Sequence, residues 1–401
     1  MSQMPSPPAA IRREDFSVSA AVAGFLAVLI SYCGPLVIFI QAAQAGGMSP
    51  AMLSSWIWAI SIGAGVSGLV LSLWLRQPII TAWSAPGTAL LLSLFPHITM
   101  AEVVGAYLMA AALVIAIGIT GTFEKIVDRI PKGIAAGMMA GILFQFGTQA
   151  FRASMELPTV VFAMLAAYLL GKRWLPRYAI VLVALTGLAV AVATGSTRLD
   201  TLALVTARPV FTAPVFDAGV FLSFTVPLLM VSLTGQYLPG MAVLRLAGYR
   251  TPSRAVVTGT GLASMLVACF GGITIVLASI TAALCTGKDA HPDPGKRYVA
   301  GVANGVFYLV GATFAGSIVL VFSAFPPALI AALAGLALIG AIVSNLALMA
   351  QDGTSTEPAV IAFLATASGM SLFGLGAAFW GVVLGMAAHG LLRVARPQTN
   401  G

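Results

Sequence analysis

Long apolar runs return every ~25–30 residues along this chain, each near the ~20 residues an α-helix needs to cross a bilayer. That recurrence sets the fold class as an all-α polytopic membrane protein. A transmembrane β-barrel shows ~10-residue alternating segments instead. A soluble domain carries about 25% charged residues; here 8% are charged and 59% hydrophobic. The mean hydropathy is +1.01.

Proline, glycine and charged residues divide the chain into fourteen segments. The first seven lie near 17–45, 49–75, 78–96, 100–127, 131–152, 157–173 and 178–195. The second seven lie near 216–246, 252–271, 272–287, 297–325, 327–350, 358–373 and 376–392. Cytoplasmic loops of membrane proteins are rich in Lys and Arg. With the tails 1–16 and 393–401 both cytoplasmic, seventeen of the 20 Lys and Arg residues fall inside, and only Arg152, Arg198 and Arg208 fall outside. One missed crossing would scramble every later loop, so the bias supports fourteen crossings. The tail "MSQMPSPPAAIRREDFS" is polar, and the run behind it is ~30 residues long without a clear cleavage site, which argues against a cleaved signal peptide.

Seven is odd, so segments one to seven start inside and segments eight to fourteen start outside. The halves are then inverted in topology, joined by an external loop at 196–215. Inverted repeats with interrupted helices at their interface are a common plan of secondary transporters. The third segment, "PIITAWSAPGTALLLSLFP", and the tenth, "GGITIVLASITAALCTG", fit that plan. Each opens on a β-branched piece, passes through small and polar residues, and ends in a short helical run. Pro86 has no N–H and disfavours α conformation at the residue before it, yet suits the first turn of a helix. A short helix is therefore expected to begin near Pro86. The extended pieces before the two short helices are expected to pair, antiparallel because the repeats are inverted; such backbone survives at membrane depth only when protein groups satisfy it. Both short helices then begin near the midplane and turn N–H groups and positive dipole ends toward one cavity, a place suited to an anion.

The candidate binding residues follow. Ser84, Ala85, Gly87 and Thr88 surround the first break, and Val276, Ser279 and Thr281 the second. Trp83 offers a flat wall for a ring. Gln236 and Tyr237, in "LTGQYLPGMAVLRLAG", precede a Pro-Gly pair expected to break segment eight; Tyr32 precedes Pro35 in segment one. A buried amide needs partners, and ligand contact and helix–helix bonding both serve Gln236. Asn345 reads as structural, His97, His291 and His389 as segment-end or loop residues, and Glu102 and Asp217 as helix starts. No ionisable residue stands clearly at the midplane, so no proton relay is identified.

Cys33, Cys269 and Cys285 read as small buried hydrophobes. No metal-ligand spacing, phosphate loop or nucleophile elbow is present, so neither an enzyme nor a cofactor is expected. The formal charge of +8 is scattered over short loops, which suits a bilayer rather than nucleic acid. The small-residue faces Gly133–Gly137–Gly141, Gly301–Gly305 and Gly381–Gly385 let helices pack closely, within one chain or in a homodimer seam.

Five stretches carry a resemblance: "FIQAAQAGGMSPAMLSSWIWA", "PIITAWSAPGTALL", "TGQYLPGMAVLR", "ITAALCTGKDAHPDPGKRYVAGVANGVFY" and "FLATASGMSLFGLGAAFWG". They resemble the bacterial benzoate–proton symporters, over nearly the whole chain, and more distantly the nucleobase and sulfate transporters. The resemblance implies a core domain (17–130 and 216–326) that binds substrate between broken spans three and ten, and a gate domain (131–195 and 327–392). It implies a dimer in the bacterial inner membrane and elevator-like movement of the core. Gln236 then falls near a position where nucleobase carriers place a glutamate; a neutral amide suits an anionic substrate better. The resemblance departs at Ile273 and Val276, where the family's tenth span often carries His and Asn. Apolar residues there imply a more apolar pocket and admit a related aromatic acid.

The expected function is proton-coupled uptake of benzoate or a similar aromatic carboxylate. The alternatives are the same fold carrying a nucleobase or another small anion, and an anion channel.

Overall fold

The computed structural model describes residues 15–95, 97–176, 178–197, 203–351 and 356–394. The expectations placed on residues 1–14, Arg177, Arg198 and 395–401 lie outside the described residues. The first half comprises α1 (Val18–Cys33), α2 (Pro35–Ala45), α3 (Pro50–Leu75), β1 (Thr81–Trp83), α4 (Ala85–Leu94), α5 (Met100–Thr120), α6 (Phe123–Arg129), α7 (Lys132–Arg152), α8 (Pro158–Trp174) and α9 (Ala179–Ala193). The second half comprises α10 (Ala218–Val220), α11 (Val226–Ser232), α12 (Leu238–Leu246), α13 (Ser253–Ala268), β2 (Ile275–Leu277), α14 (Ile280–Thr286), α15 (Tyr298–Thr313), α16 (Ala315–Ser323), α17 (Pro327–Gln351), α18 (Thr356–Ala367) and α19 (Ala377–Val394). Among the described residues six helices are long and apolar enough to cross a membrane, and α15 with α16 forms a further candidate bent by 69°.

Local chemistry explains the boundaries. Ser49 caps α3 by accepting from Met52 N–H, with Pro50 at the first helical position. Thr99 and Glu102 form a reciprocal capping box at α5, and the Asp217 carboxylate accepts from Val220 N–H at α10. These bonds give Glu102 and Asp217 the capping roles expected of them.

Three expectations need correction. Segment four does not run on to residue 127: Gly121 takes a left-handed conformation (φ +68°) that ends α5, and α6 follows as a separate helix. Segment eleven is two helices, parted at Phe314. Segment eight does not break at Pro239-Gly240. It runs as one helical span from Ala218 to Leu246, with π-helical turns at Phe221–Thr225 and Leu233–Tyr237 just before Pro227 and Pro239. The wider π turn accommodates a proline that cannot complete the ordinary ladder.

The helices gather into two groups. In one, α3 packs against α15 and α13, α13 against α5, and α1 against α15. In the other, α7 packs against α17 and α18, α18 against α19, and α8 against α9. The glycine faces are used within the chain: a Cβ at Gly305 would lie 2.7 Å from the Gly65 carbonyl oxygen, and one at Gly137 2.2 Å from that of Ala359. Residues 203–215 cross the first group as an extended strap. Ala207 N–H bonds to Thr313 O, Thr212 N–H to Cys269 O and Val215 N–H to Ala101 O, and Val210 N–H bonds to Ser55 Oγ at 2.8 Å.

Candidate functional site

β1 and β2 pair antiparallel, with Thr81 opposite Leu277, Ala82 opposite Val276 and Trp83 opposite Ile275. The ladder extends one bond each way, through Ser84 N–H to Thr274 O at 3.0 Å and Ala278 N–H to Ile80 O at 2.9 Å. Each extended piece thus satisfies the other, which is what a bilayer demands of non-helical backbone. Side chains fix it in place: Thr81 Oγ1 donates to Ala64 O at 2.7 Å, and Ser264 Oγ accepts from Ile275 N–H at 2.8 Å. The strands begin a few residues later than "PIIT" and "GITIV" suggested.

The half-helices leave from opposite ends of this ladder, ~13 Å apart along strands that rise about 3.3 Å per residue. The two starts differ. α4 begins at Ala85 with Pro86 in its first turn; Ser84 Oγ accepts from Gly87 N–H at 3.1 Å and Ser84 O from Thr88 N–H at 2.9 Å. Thr88 Oγ1 turns back to Ser84 O at 3.0 Å. These hydroxyls serve the helix itself. A Cβ on Gly87 would meet Leu228 Cδ1 at 2.3 Å and Ile273 Cδ1 at 3.2 Å, so those side chains cover this start. α14 begins after Ser279 with no side-chain cap. Ser279 is half-buried, Thr281 is buried, and Ile280 between them is 73% exposed.

Facing side chains share one face of a strand pair. Trp83 therefore stands on the face of Thr81, Ile275 and Leu277, and Val276 stands on the other face, with Ala82. The structure does not bring Trp83 and Val276 to one wall. Trp83 is buried, stacked on Tyr32 at 6.1 Å between ring centroids and set edge-on to Tyr308 at 6.0 Å. Tyr32 OH bonds to Ser61 Oγ at 2.8 Å.

Gln236 lies in the π turn Leu233–Tyr237 and is half-buried. The π turn packs against β2. Ser232 Oγ approaches Thr274 Oγ1 at 3.5 Å, and a Cβ at Gly240 would touch Leu277 and the Ala278 carbonyl. Gln236, midway between them, comes level with the middle of β2. Its neighbour Tyr237 reaches β2 as well. It is fully buried, with its OH bonded to Thr260 Oγ1 at 2.6 Å and to Ile275 O at 3.1 Å, so it secures β2. Leu228, Thr274 and Tyr308 were not read from the sequence as site residues. The signal for Tyr308 was a lone hydroxyl deep in an apolar run; Leu228 carried none.

This is the architecture of a polytopic membrane transporter. The chain is similar to "The transmembrane domain of a cyanobacterium bicarbonate transporter BicA", with TM-score 0.60, 18% identity, and coverage of 96% of this chain and 99% of that one; at such identity the likeness concerns the fold alone. The chain belongs to the family described as "Benzoate membrane transport protein", whose profile matches residues 14–391. It is 54% identical to the "Benzoate membrane transport protein" of Acinetobacter baylyi over 95% of this chain and 96% of the relative. It is also 38% identical to the "Inner membrane protein YdcO" of Escherichia coli over 93% and 95%.

Proposed function

We propose that the chain takes up benzoate or a closely related aromatic carboxylate across the bacterial inner membrane, driven by the proton gradient. The observation that carries the reading is a neutral amide, Gln236, in the π turn that packs on β2, just before α12, which packs on the uncapped α14, in a chain 54% identical to a protein named for benzoate transport. The carboxylate docks at the start of α14, where N–H groups without a side-chain cap and the positive dipole end favour negative charge. Gln236 adds a donor without adding repulsion. The ring lies along the apolar face that includes Val276, and Trp83 braces the ladder from behind.

The packing supports an alternating-access mechanism of elevator type. The first helix group corresponds to a core (17–130 and 216–326) and the second to a gate (131–195 and 327–392). α4 packs against α7 of the gate, whereas Ile280 at the start of α14 is open. With the sidedness expected from Lys and Arg, the open start of α14 then lies on the cytoplasmic side of the ladder. Fourteen crossings in two inverted halves, both termini cytoplasmic and a homodimer complete the reading. The test is uptake of labelled benzoate into proteoliposomes with and without an imposed pH gradient. Accumulation that needs an acidic exterior supports it; no uptake in either condition overturns it.

A further inference from the structure

α14 has little of its own to hold it. It is seven residues long, Ser279 gives it no side-chain cap, and the chain leaves it through an extended Gly287 (φ −80°, ψ 168°). So short a helix is marginal by itself, and its last carbonyls need partners from elsewhere. Arg297 supplies them. It is only 6% exposed. Its guanidinium donates from Nη1 to Thr286 O at 2.8 Å, from Nε to His291 O at 2.7 Å and from Nη2 to Pro292 O at 3.2 Å. Thr286 is the last residue of α14, so the cation sits at the negative end of the helix dipole. The planar fork holds three carbonyls at once, which a single ammonium does not reproduce.

The loop that Arg297 gathers is also fixed from other segments. Tyr249 OH donates to Pro294 O at 2.8 Å, and Ser19 Oγ to Ala290 O at 2.9 Å. The Asp15 carboxylate accepts from Tyr298 OH at 2.7 Å and lies 3.8 Å from Lys296 Nζ. The base of α14 is therefore anchored while its start stands open. α4 differs: it is ten residues long and carries its own Ser84 cap.

We infer that Arg297 is a positioning residue for substrate binding. It grips α14 at its C-terminal end, so that the first turn of α14 stays at the end of β2, against α12. Arg297 touches no substrate, and the inference rests on the site described under Proposed function.

The test uses the full chain with Cys33→Ala and Cys269→Ala, leaving Cys285, buried on α14, as the sole cysteine. Arg297→Lys and Arg297→Gln are compared with the parent in proteoliposomes. Local opening of α14 exposes Cys285, so its maleimide labelling is expected to quicken about ten-fold in Arg297→Gln and less in Arg297→Lys. A cysteine placed at Ala140, buried in α7, is expected to stay protected in parallel samples carrying Cys285→Ala. The half-saturation concentration for benzoate is expected to rise about five-fold with maximal rate within about two-fold, the pattern of lost binding. Unchanged Cys285 labelling in Arg297→Gln overturns the inference, and so does labelling at both positions, which reports general loosening. The labelling needs no substrate, so it judges Arg297 even where the parent fails to carry benzoate, a failure that counts against the proposed function.

Discussion

Gly87 and Leu228 meet so closely that a Cβ on residue 87 would lie 2.3 Å from Leu228 Cδ1. Gly87 is in the first turn of α4 and Leu228 in α11, so this contact seats segment eight against the first half-helix. Gly87→Ala is expected to lower thermal stability by about 1–3 kcal/mol, the range for overpacking a filled site, and to reduce uptake. Leu228→Ala makes room for the new methyl. The double variant is expected to recover part of the loss, a coupling that melting curves in detergent would read directly. Strict additivity of the two changes would mean that the contact does not govern this seat.

Ser84 is buried and its hydroxyl caps α4. Ser84→Ala removes that acceptor and is expected to cost about 1 kcal/mol, as N-cap losses generally do. Ser84→Thr keeps the oxygen and is expected to retain more of both stability and uptake. Melting temperature and initial uptake rate, measured on the same preparations, check the order Ser, Thr, Ala.

The breaks in segments three and ten were legible because a bilayer tolerates little: "PIITAWSAPGT" and "GGITIVLASIT" do not read as unbroken spanning helices. Their antiparallel pairing was expected from halves read as inverted, and the two strands do pair that way. The register did not. It is set by contacts distant in sequence, such as Thr81 with Ala64 and Ile275 with Ser264. In a strand, a shift of one residue moves every side chain to the other face. That is why Trp83 and Val276, both candidate site residues in the sequence, stand back to back. Tyr237 and Gln236 looked alike as polar groups before a proline; only the π turn and the bonds to Thr260 and Ile275 separate the brace from the open amide. Leu228 and Ile273 resemble any apolar residue of a membrane helix, so nothing local marked them as the cover over α4.

Gln236 tests the electrostatics. Gln236→Glu places a carboxylate beside the proposed anion site. A glutamate carries its negative charge only when deprotonated. Above its pKa it repels the substrate; as pH falls through its pKa the charge and the repulsion are lost together. Uptake by Gln236→Glu, taken as a ratio to the parent at each pH, is expected to be strongly reduced at pH 7 and to recover toward pH 5. Gln236→Ala is expected to weaken uptake at all pH values alike. A flat ratio for the glutamate variant would remove Gln236 from the site.

Cargo is the last point, and fold likeness does not decide it. The backbone resembles a bicarbonate transporter's, while the family is described by benzoate. The residues around the breaks favour an apolar ring: Ile273 and Val276 are fully buried hydrophobes, and Gln236 is uncharged. A ligand that binds only the folded state stabilises it by mass action, about 2.7 kcal/mol at a hundred times its dissociation constant. A thermal-shift series on the purified protein is therefore expected to show rising melting temperature with benzoate and with ring-substituted benzoates of similar size. Uracil, bicarbonate and sulfate at equal ionic strength are expected to give none. Stabilisation by uracil alone would assign a nucleobase cargo to the same fold. Stabilisation by the inorganic anions alone would keep the start of α14 as the binding element and remove the ring from the argument.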